Sequence, residues 1–175
     1  MKPVKSLAVI LFYLSRIGAV FYISTAVYGI LVIGLFLLTK SSWVPFQLDN
    51  DRFTIYLPFT RIPFLLGTYT TAFLVVFLTI FSFYGIFLLL LSDVFKAFRG
   101  ERLFTQLNVV RLTRFYKANI ILPLGCLILF LIFQQDLKDA IIISLLHMVL
   151  AAFAFFMAAI FKQGFVLQEE QDLTL

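Results

Sequence analysis

Few residues of this chain could do chemistry, and they lie far apart. There is one histidine, His147, and one cysteine, Cys126, in 175 residues. The sequence has no His-Glu-x-x-His zinc element, no Gly-x-Ser-x-Gly nucleophile element and no glycine-rich phosphate loop. We therefore expect a protein that is not an enzyme, with no catalytic, cofactor-binding or metal-binding residues.

His147 is the only ionisable residue well inside an apolar segment long enough to cross a membrane. An ionisable side chain in lipid is a functional candidate by default. Neutral histidine is less costly to bury than a charged carboxylate, and no Asp, Glu or second His lies at matching depth to form a proton relay. A structural hydrogen bond is the favoured interpretation, and a functional intramembrane group is the alternative.

A basic segment lies between the second and third apolar runs, at residues 92–117. Thr105 has the residue type of a helix N-cap, and apolar and basic residues follow it at helical spacing. We therefore expect the third helix to begin near Thr105. This basic face could meet anionic lipid or dock a protein partner. Its candidate contact residues are Arg102, Thr105, Asn108, Arg111 and Arg114.

The chain ends in an acidic tail, residues 163–175, which also contains apolar residues. A tail that stayed in water would have no need of Leu173 and Leu175. We predict that its acidic side chains fold back onto arginines of the basic segment. The acidic residues are Glu169, Glu170 and Asp172, and the arginines are Arg102, Arg111 and Arg114.

The elements that would position these residues are membrane-spanning helices. The chain is 62% apolar and 13% charged, whereas soluble domains are usually about 45–50% apolar and about 25% charged. A span needs about 20 mostly apolar residues, and the segments near 7–38, 64–91, 106–133 and 140–162 meet or approach this length. We predict an all-α membrane protein, a four-transmembrane-helix bundle forming a single membrane domain over residues 1–175.

The connection between the first two spans contains two strand-like segments. These are Val44–Leu48 and Phe53–Leu57, and they flank the turn-forming sequence Asp49-Asn50-Asp51. We expect a short β-hairpin-like loop at the membrane surface.

The basic residues predict the orientation in the membrane. Ten of the 14 fall on the side that holds both termini and residues 92–117. Because Lys and Arg collect on the cytoplasmic side, we predict that both termini are cytoplasmic and that the hairpin-like loop is extracytoplasmic.

Small residues recur at helical spacing in three of the spans. Such residues let helices in lipid approach closely, and we interpret them as packing seams. A pore lining is the alternative, but pores usually need more polar residues than these. The small residues include Gly18, Gly29, Gly67, Gly85, Ala151 and Ala154.

Two short motifs resemble a bacterial family of four-span membrane proteins. They are Phe104-Thr105-x-x-Asn108-x-x-x-Leu112 after Arg99-Gly100, and the ending Leu167-Gln-Glu-Glu-Gln-Asp-Leu-Thr-Leu175. In these motifs and in the order of its spans, the chain resembles the DUF2975 family over nearly its whole length. It departs from the family at Glu101-Arg102-Leu103, where a Lys-Pro type turn is frequent.

The resemblance implies a protein of the bacterial inner membrane, from a family without an established activity, cofactor or substrate. Members of the family resemble partners of small helix-turn-helix regulators. The resemblance therefore implies a membrane-bound regulator that works with such a transcription factor.

These observations predict a non-enzymatic inner-membrane protein whose cytoplasmic face binds a protein partner as well as anionic lipid. We expect no direct binding of nucleic acid, and the chain could form a homo-oligomer. The alternatives are a small-molecule transporter or channel component and an accessory subunit of a larger membrane complex. A polar cavity around His147, Tyr22 and Thr25 would favour transport, whereas a closed bundle with an ordered cytoplasmic patch would favour partner binding.

Overall fold

Turn residues and helix caps divide the chain into helices and strands. The computed structural model describes residues 2–100 and 102–173. In these residues the order is α1 (Lys2–Thr39), β1 (Phe46–Asp49), β2 (Arg52–Tyr56), β3 (Pro63–Thr68), α2 (Thr71–Ala97), α3 (Gln106–Ile132) and α4 (Leu137–Leu173). The side chains of Thr70 and Thr105 accept backbone hydrogen bonds and cap α2 and α3. Lys40 and Gln134, with φ of 48° and 52°, end α1 and α3 in the left-handed conformation.

Within the described residues, four helices are long and apolar enough to cross a membrane. The chain is therefore a multi-pass membrane protein. α1 has 38 residues and α4 has 37. At about 1.5 Å per residue each is roughly 55 Å long, against a hydrocarbon thickness of about 30 Å. Both helices are long enough to project beyond the bilayer.

The described part of the chain is mostly helical but not all-α, because it contains a three-stranded antiparallel sheet in the order β1-β2-β3. Asn50 turns the chain between β1 and β2 with a φ of 51°, a conformation that asparagine tolerates. The hairpin predicted from the sequence is compatible with β1 and β2. Phe53 and Ile55 of the sheet join Val32 of α1 in one buried apolar core, so the sheet is attached to the helices.

β3 contains residues that the hydropathy pattern predicts to begin the second span. The run Phe64-Leu65-Leu66 is apolar in either structure, and a short apolar run does not distinguish a strand from a helix. Here β2 supplies the backbone partners for β3. Gly67 also admits the ring of Phe73 so closely that a Cβ atom at Gly67 would lie 2.1 Å from it. The helix begins only at Thr71.

α2 and α4 continue beyond the predicted ends of their spans, residues 91 and 162. α2 ends at Ala97, and α4 continues to Leu173 through most of the predicted tail. The residues after Lys162 include Gln, Glu and Leu and no proline, and these types favour helix. Thr174 and Leu175 lie outside the described residues.

α1 packs antiparallel along α2 through glycines on both helices. Gly29 faces Leu78, and a Cβ atom there would lie 3.1 Å from the leucine side chain. At Gly85 a Cβ atom would lie 2.6 Å from Cγ1 of Ile23. Both glycines belong to the seams predicted from small-residue spacing, and their missing side chains let the two helices approach.

The remaining helices continue this arrangement, since α3 packs against both α2 and α4. The antiparallel order places the described chain termini and the α2–α3 connection at one end of the helices, which we term the junction end. The sheet and the α3–α4 link lie at the other end, which we term the sheet end.

The α1–α2 contact predicts the effect of a larger side chain at Gly85. Because Ile23 occupies the space where a Cβ atom would be built, Gly85→Val should lower the free energy of unfolding by about 1–3 kcal/mol. The measurement is equilibrium unfolding of the purified protein in mixed detergent micelles. Gly125→Val is the matched control, because nothing lies within 4 Å of a Cβ atom at that glycine. Equal destabilisation by both variants would contradict the predicted close contact.

Candidate functional site

The α2–α3 connection is held in shape by Asn108, the buried amide at the start of α3. Its side chain is 4% exposed. Nδ2 donates to the carbonyl of Leu103 at 2.9 Å and to that of Ala97 at 3.4 Å, while Oδ1 accepts from Nη1 of Arg111 at 2.8 Å. Asn108 therefore closes the loop onto the end of α2. This structural role accounts for its presence in the motif that begins at Phe104.

Phe104 of the same motif attaches the connection to α4. Its ring packs on Phe161, with ring centroids 5.4 Å apart. A Cβ atom at Gly164 would lie 2.6 Å from the Phe104 ring, so only glycine leaves room for this contact. Leu112, the last motif residue, is buried in the same cluster. The motif residues thus fix the junction end.

Among the described residues, an ion pair joins the tail to the basic segment. Nη1 of Arg102 lies 3.8 Å from a carboxylate oxygen of Asp172. Arg111 instead donates to Asn108. Arg114, Glu169 and Glu170 are exposed. Both members of the Arg102–Asp172 pair are also largely exposed, and surface pairs of this kind contribute only about 0–1 kcal/mol. The apolar contact of Phe104 is therefore the stronger tie.

α1 is attached to the junction end by two basic residues. The guanidinium of Arg99 lies over the Phe12 ring, 4.5 Å from its centroid, a cation–π contact. Deeper in the bundle, Nη1 of Arg16 donates to the hydroxyl of Ser92 at 3.3 Å. Nothing in the sequence marks Ser92 as a partner of Arg16, because a lone serine in an apolar run is common.

His147 lies in the middle of the bundle, enclosed by aromatic rings and hydrogen-bonded to α3. Its side chain is 5% exposed, and its Nδ1 is 2.7 Å from Oδ1 of Asn119. The amide orientation follows from Nδ2 of Asn119, which donates to the carbonyl of Phe115 at 2.8 Å. Because an amide oxygen can only accept, the Nδ1 atom of His147 carries the hydrogen. Rings of Phe83 and Phe87 pack on the imidazole, with centroids 4.9 and 5.0 Å away.

Asn119 is the partner that sequence reasoning missed. A search for Asp, Glu or a second His at the depth of His147 passes over an amide. The signal was present, because Asn119 is a polar residue beside a long apolar run in the third span. Amides also hydrogen-bond across helices in lipid.

The space between His147 and Tyr22 is filled by an aromatic ring. Tyr84 lies between them, with its ring centroid 5.8 Å from that of Tyr22 and 6.3 Å from that of His147. Thr25 is buried on α1. The described residues therefore do not enclose a shared polar cavity around His147, Tyr22 and Thr25.

The pair of Asn119 and His147 predicts non-additive effects on stability. Asn119→Leu and His147→Leu each leave a buried polar atom without its partner and should each lower the free energy of unfolding by about 1–3 kcal/mol. The double variant removes both polar groups and should lose less than the sum of the two losses. Equilibrium unfolding of the wild type and the three variants in mixed micelles gives the four free energies of this double-mutant cycle. Strict additivity of the two losses would contradict a stabilising hydrogen bond.

At the junction end, we predict that the contact of Phe104 with Gly164 contributes more to stability than the ion pair of Arg102 with Asp172. Gly164→Ala should displace Phe104 and expose the Arg99 and Arg102 peptide bonds, so trypsin should cut there much faster in the folded protein. Asp172→Asn should change the cleavage rate only slightly, because the pair is worth at most about 1 kcal/mol. Gly34→Ala is the matched control, since a Cβ atom there meets nothing within 4 Å. The ranking is wrong if Asp172→Asn accelerates cleavage as much as Gly164→Ala.

The chain was compared with known protein families, curated proteins and solved structures. A family model described as "Protein of unknown function (DUF2975)" matches residues 41–175. The matched segment begins after α1 and includes the sheet, the other three helices and both motifs. A search of the curated proteins and of the solved structures found no match.

Proposed function

We propose that this chain, which belongs to the DUF2975 family, is a non-enzymatic membrane-bound regulator that docks a protein partner at its junction end. The proposal places the protein in the bacterial inner membrane with both termini in the cytoplasm. The partner we propose is a small helix-turn-helix transcription factor. The resemblance of the two motifs and the excess of basic residues at this end support these assignments.

The observation that carries the proposal is a continuous helical projection at the junction end. The apolar part of α4 ends at Phe161, and residues 162–173, which we term the α4 projection, continue the same helix. This segment is roughly 18 Å long at about 1.5 Å per residue. Isolated helix ends of this length fray in water. Here the contact of Phe104 with Gly164 supports the base of the helix, and Arg102 pairs weakly with Asp172 near its end.

The α4 projection carries a surface of the kind that binds another protein. Val166 and Leu167 are 43% and 60% exposed, although they lie beyond the apolar span. They lie on the same face of α4 as Lys162. Apolar side chains flanked by charged ones on an ordered helix supply both the affinity and the specificity of a docking surface.

The position of His147 favours a regulator over an enzyme or a transporter. The imidazole is enclosed by rings of α2 and hydrogen-bonded to Asn119, which suits helix packing. Transport would call for a polar path, and the ring of Tyr84 occupies the space between His147 and Tyr22.

A site-specific photocrosslinker tests the proposal in intact bacteria that produce the full chain and a candidate helix-turn-helix protein. Placed at Leu167, it should form a discrete adduct with that protein. Placed at Leu145, which is 62% exposed against 60% for Leu167 but lies within the span, it should form only lipid adducts. Val166→Glu should remove the Leu167 adduct, because it places a charge in the apolar surface. Identical adduct patterns from the crosslinker at Leu167 and at Leu145 would contradict the proposal.

A further inference from the structure

A cavity of about 260 Å³ lies between α2, α3 and α4 at the sheet end. Aromatic side chains of α2 and α3 form part of its wall, and two carboxylates at the start of α4 lie at its mouth. Its lining includes Phe83, Tyr84, Phe130, Ser144, Asp136 and Asp139. The cavity is separate from the junction end, where the partner is proposed to dock.

Ser144 gives this cavity a hydroxyl group that has no hydrogen-bond partner among the described residues. The residue is 8% exposed and borders the cavity. Its hydroxyl makes no hydrogen bond to any described residue and is not fully enclosed, because every fully buried side-chain polar atom of the described residues has a partner. Helical serines usually bond to a carbonyl of the preceding turn, as Ser92 does to Leu89 at 2.6 Å. Because the hydroxyl borders the cavity and has no partner among the described residues, it is available to a ligand there.

The two carboxylates make the mouth of the cavity negative. One oxygen of Asp136 accepts from the backbone N–H of Lys138 at 3.0 Å and so holds the start of α4. Asp139 lies in the first turn of the helix. A helix N-terminus favours acidic residues, which accounts for their placement. Both side chains are exposed and remain accessible to a cation that enters the cavity.

We infer that this cavity binds a small organic ammonium ion. The carboxylates attract the positive charge, the rings of Phe83 and Tyr84 offer cation–π contacts, and the Ser144 hydroxyl accepts an N–H hydrogen bond. A divalent metal ion fits less well, because calcium takes about 6–8 oxygen ligands and this site offers two carboxylates and one hydroxyl. The volume of about 260 Å³ lies below the roughly 300–1,000 Å³ typical of sites for drug-sized ligands, so the ion must be small.

Calorimetric titration of the purified full chain in a neutral detergent tests the charge requirement. Benzylammonium is the probe, and benzyl alcohol, of similar size and without charge, is the control ligand. Benzylammonium should bind about tenfold or more tightly than benzyl alcohol. Equal affinity for benzylammonium and benzyl alcohol would mean that the cavity binds only the apolar ring. No binding of benzylammonium would mean that the cavity is not a ligand site. Either result overturns the inference.

Variants locate the binding in the cavity. Asp139→Asn should weaken benzylammonium binding about tenfold and Ser144→Ala about fivefold, and neither substitution removes a hydrogen bond within the described protein. Asp51→Asn makes the same charge change in an exposed turn at the same end and should leave binding unchanged. Equal weakening of benzylammonium binding by Asp51→Asn and Asp139→Asn would mean that the net charge of the protein explains the effect, and it would overturn the inference.

The single cysteine reports on the same site without any substitution. Cys126 lines the cavity and is partly buried. Its modification by ethylammonium methanethiosulfonate should be slowed by benzylammonium and not by benzyl alcohol. Modification rates that benzylammonium leaves unchanged would place the ligand elsewhere and contradict the inference.

Discussion

A bilayer interior offers no water to pair with backbone N–H and C=O groups, so a chain that crosses it must pair them internally. This requirement explains the long uninterrupted helices of the protein. It also explains where the helices end. β1–β3 pair with one another at the sheet end, and the side chain of Asn108 satisfies carbonyls of the connection at the junction end. Irregular backbone is thus confined to the two ends, where it is paired.

The same rule governs polar side chains within the spans. His147 with Asn119 links α4 to α3, and Arg16 with Ser92 links α1 to α2. An unpaired polar group is expensive in lipid, so each pair favours one relative depth for its two helices. Close approach of the helices depends on glycines such as Gly85, because lipid supplies no hydrophobic force that drives helices together.

The two ends of the helices differ in chemistry. The junction end is packed around Phe104, Leu112 and Phe161, and the helical α4 projection extends from it. The sheet end keeps a cavity with an unused hydroxyl and acidic residues at its mouth. α4 belongs to both regions, because Ser144, His147 and Gly164 lie on one continuous helix. The proposed ligand and the proposed partner would therefore contact the same element, about 30 Å or more apart along its axis.

Features that local composition controls could be predicted from the amino-acid sequence. Four apolar runs gave four helices long enough to span a membrane, the Asp-Asn-Asp turn gave a hairpin, and Thr105 gave the start of α3. The sequence could not place β3, because the run Phe64-Leu65-Leu66 would be apolar in either a helix or a strand. Its backbone pairing with β2 makes it a strand. The sequence shows Asn119 as a polar residue of the third span but does not identify it as the partner of His147. It contains no sign that Phe104 fits against Gly164, or that Asp136, Asp139 and Ser144 surround a cavity. Those contacts join residues distant in the chain, and the packing of the helices alone brings them together.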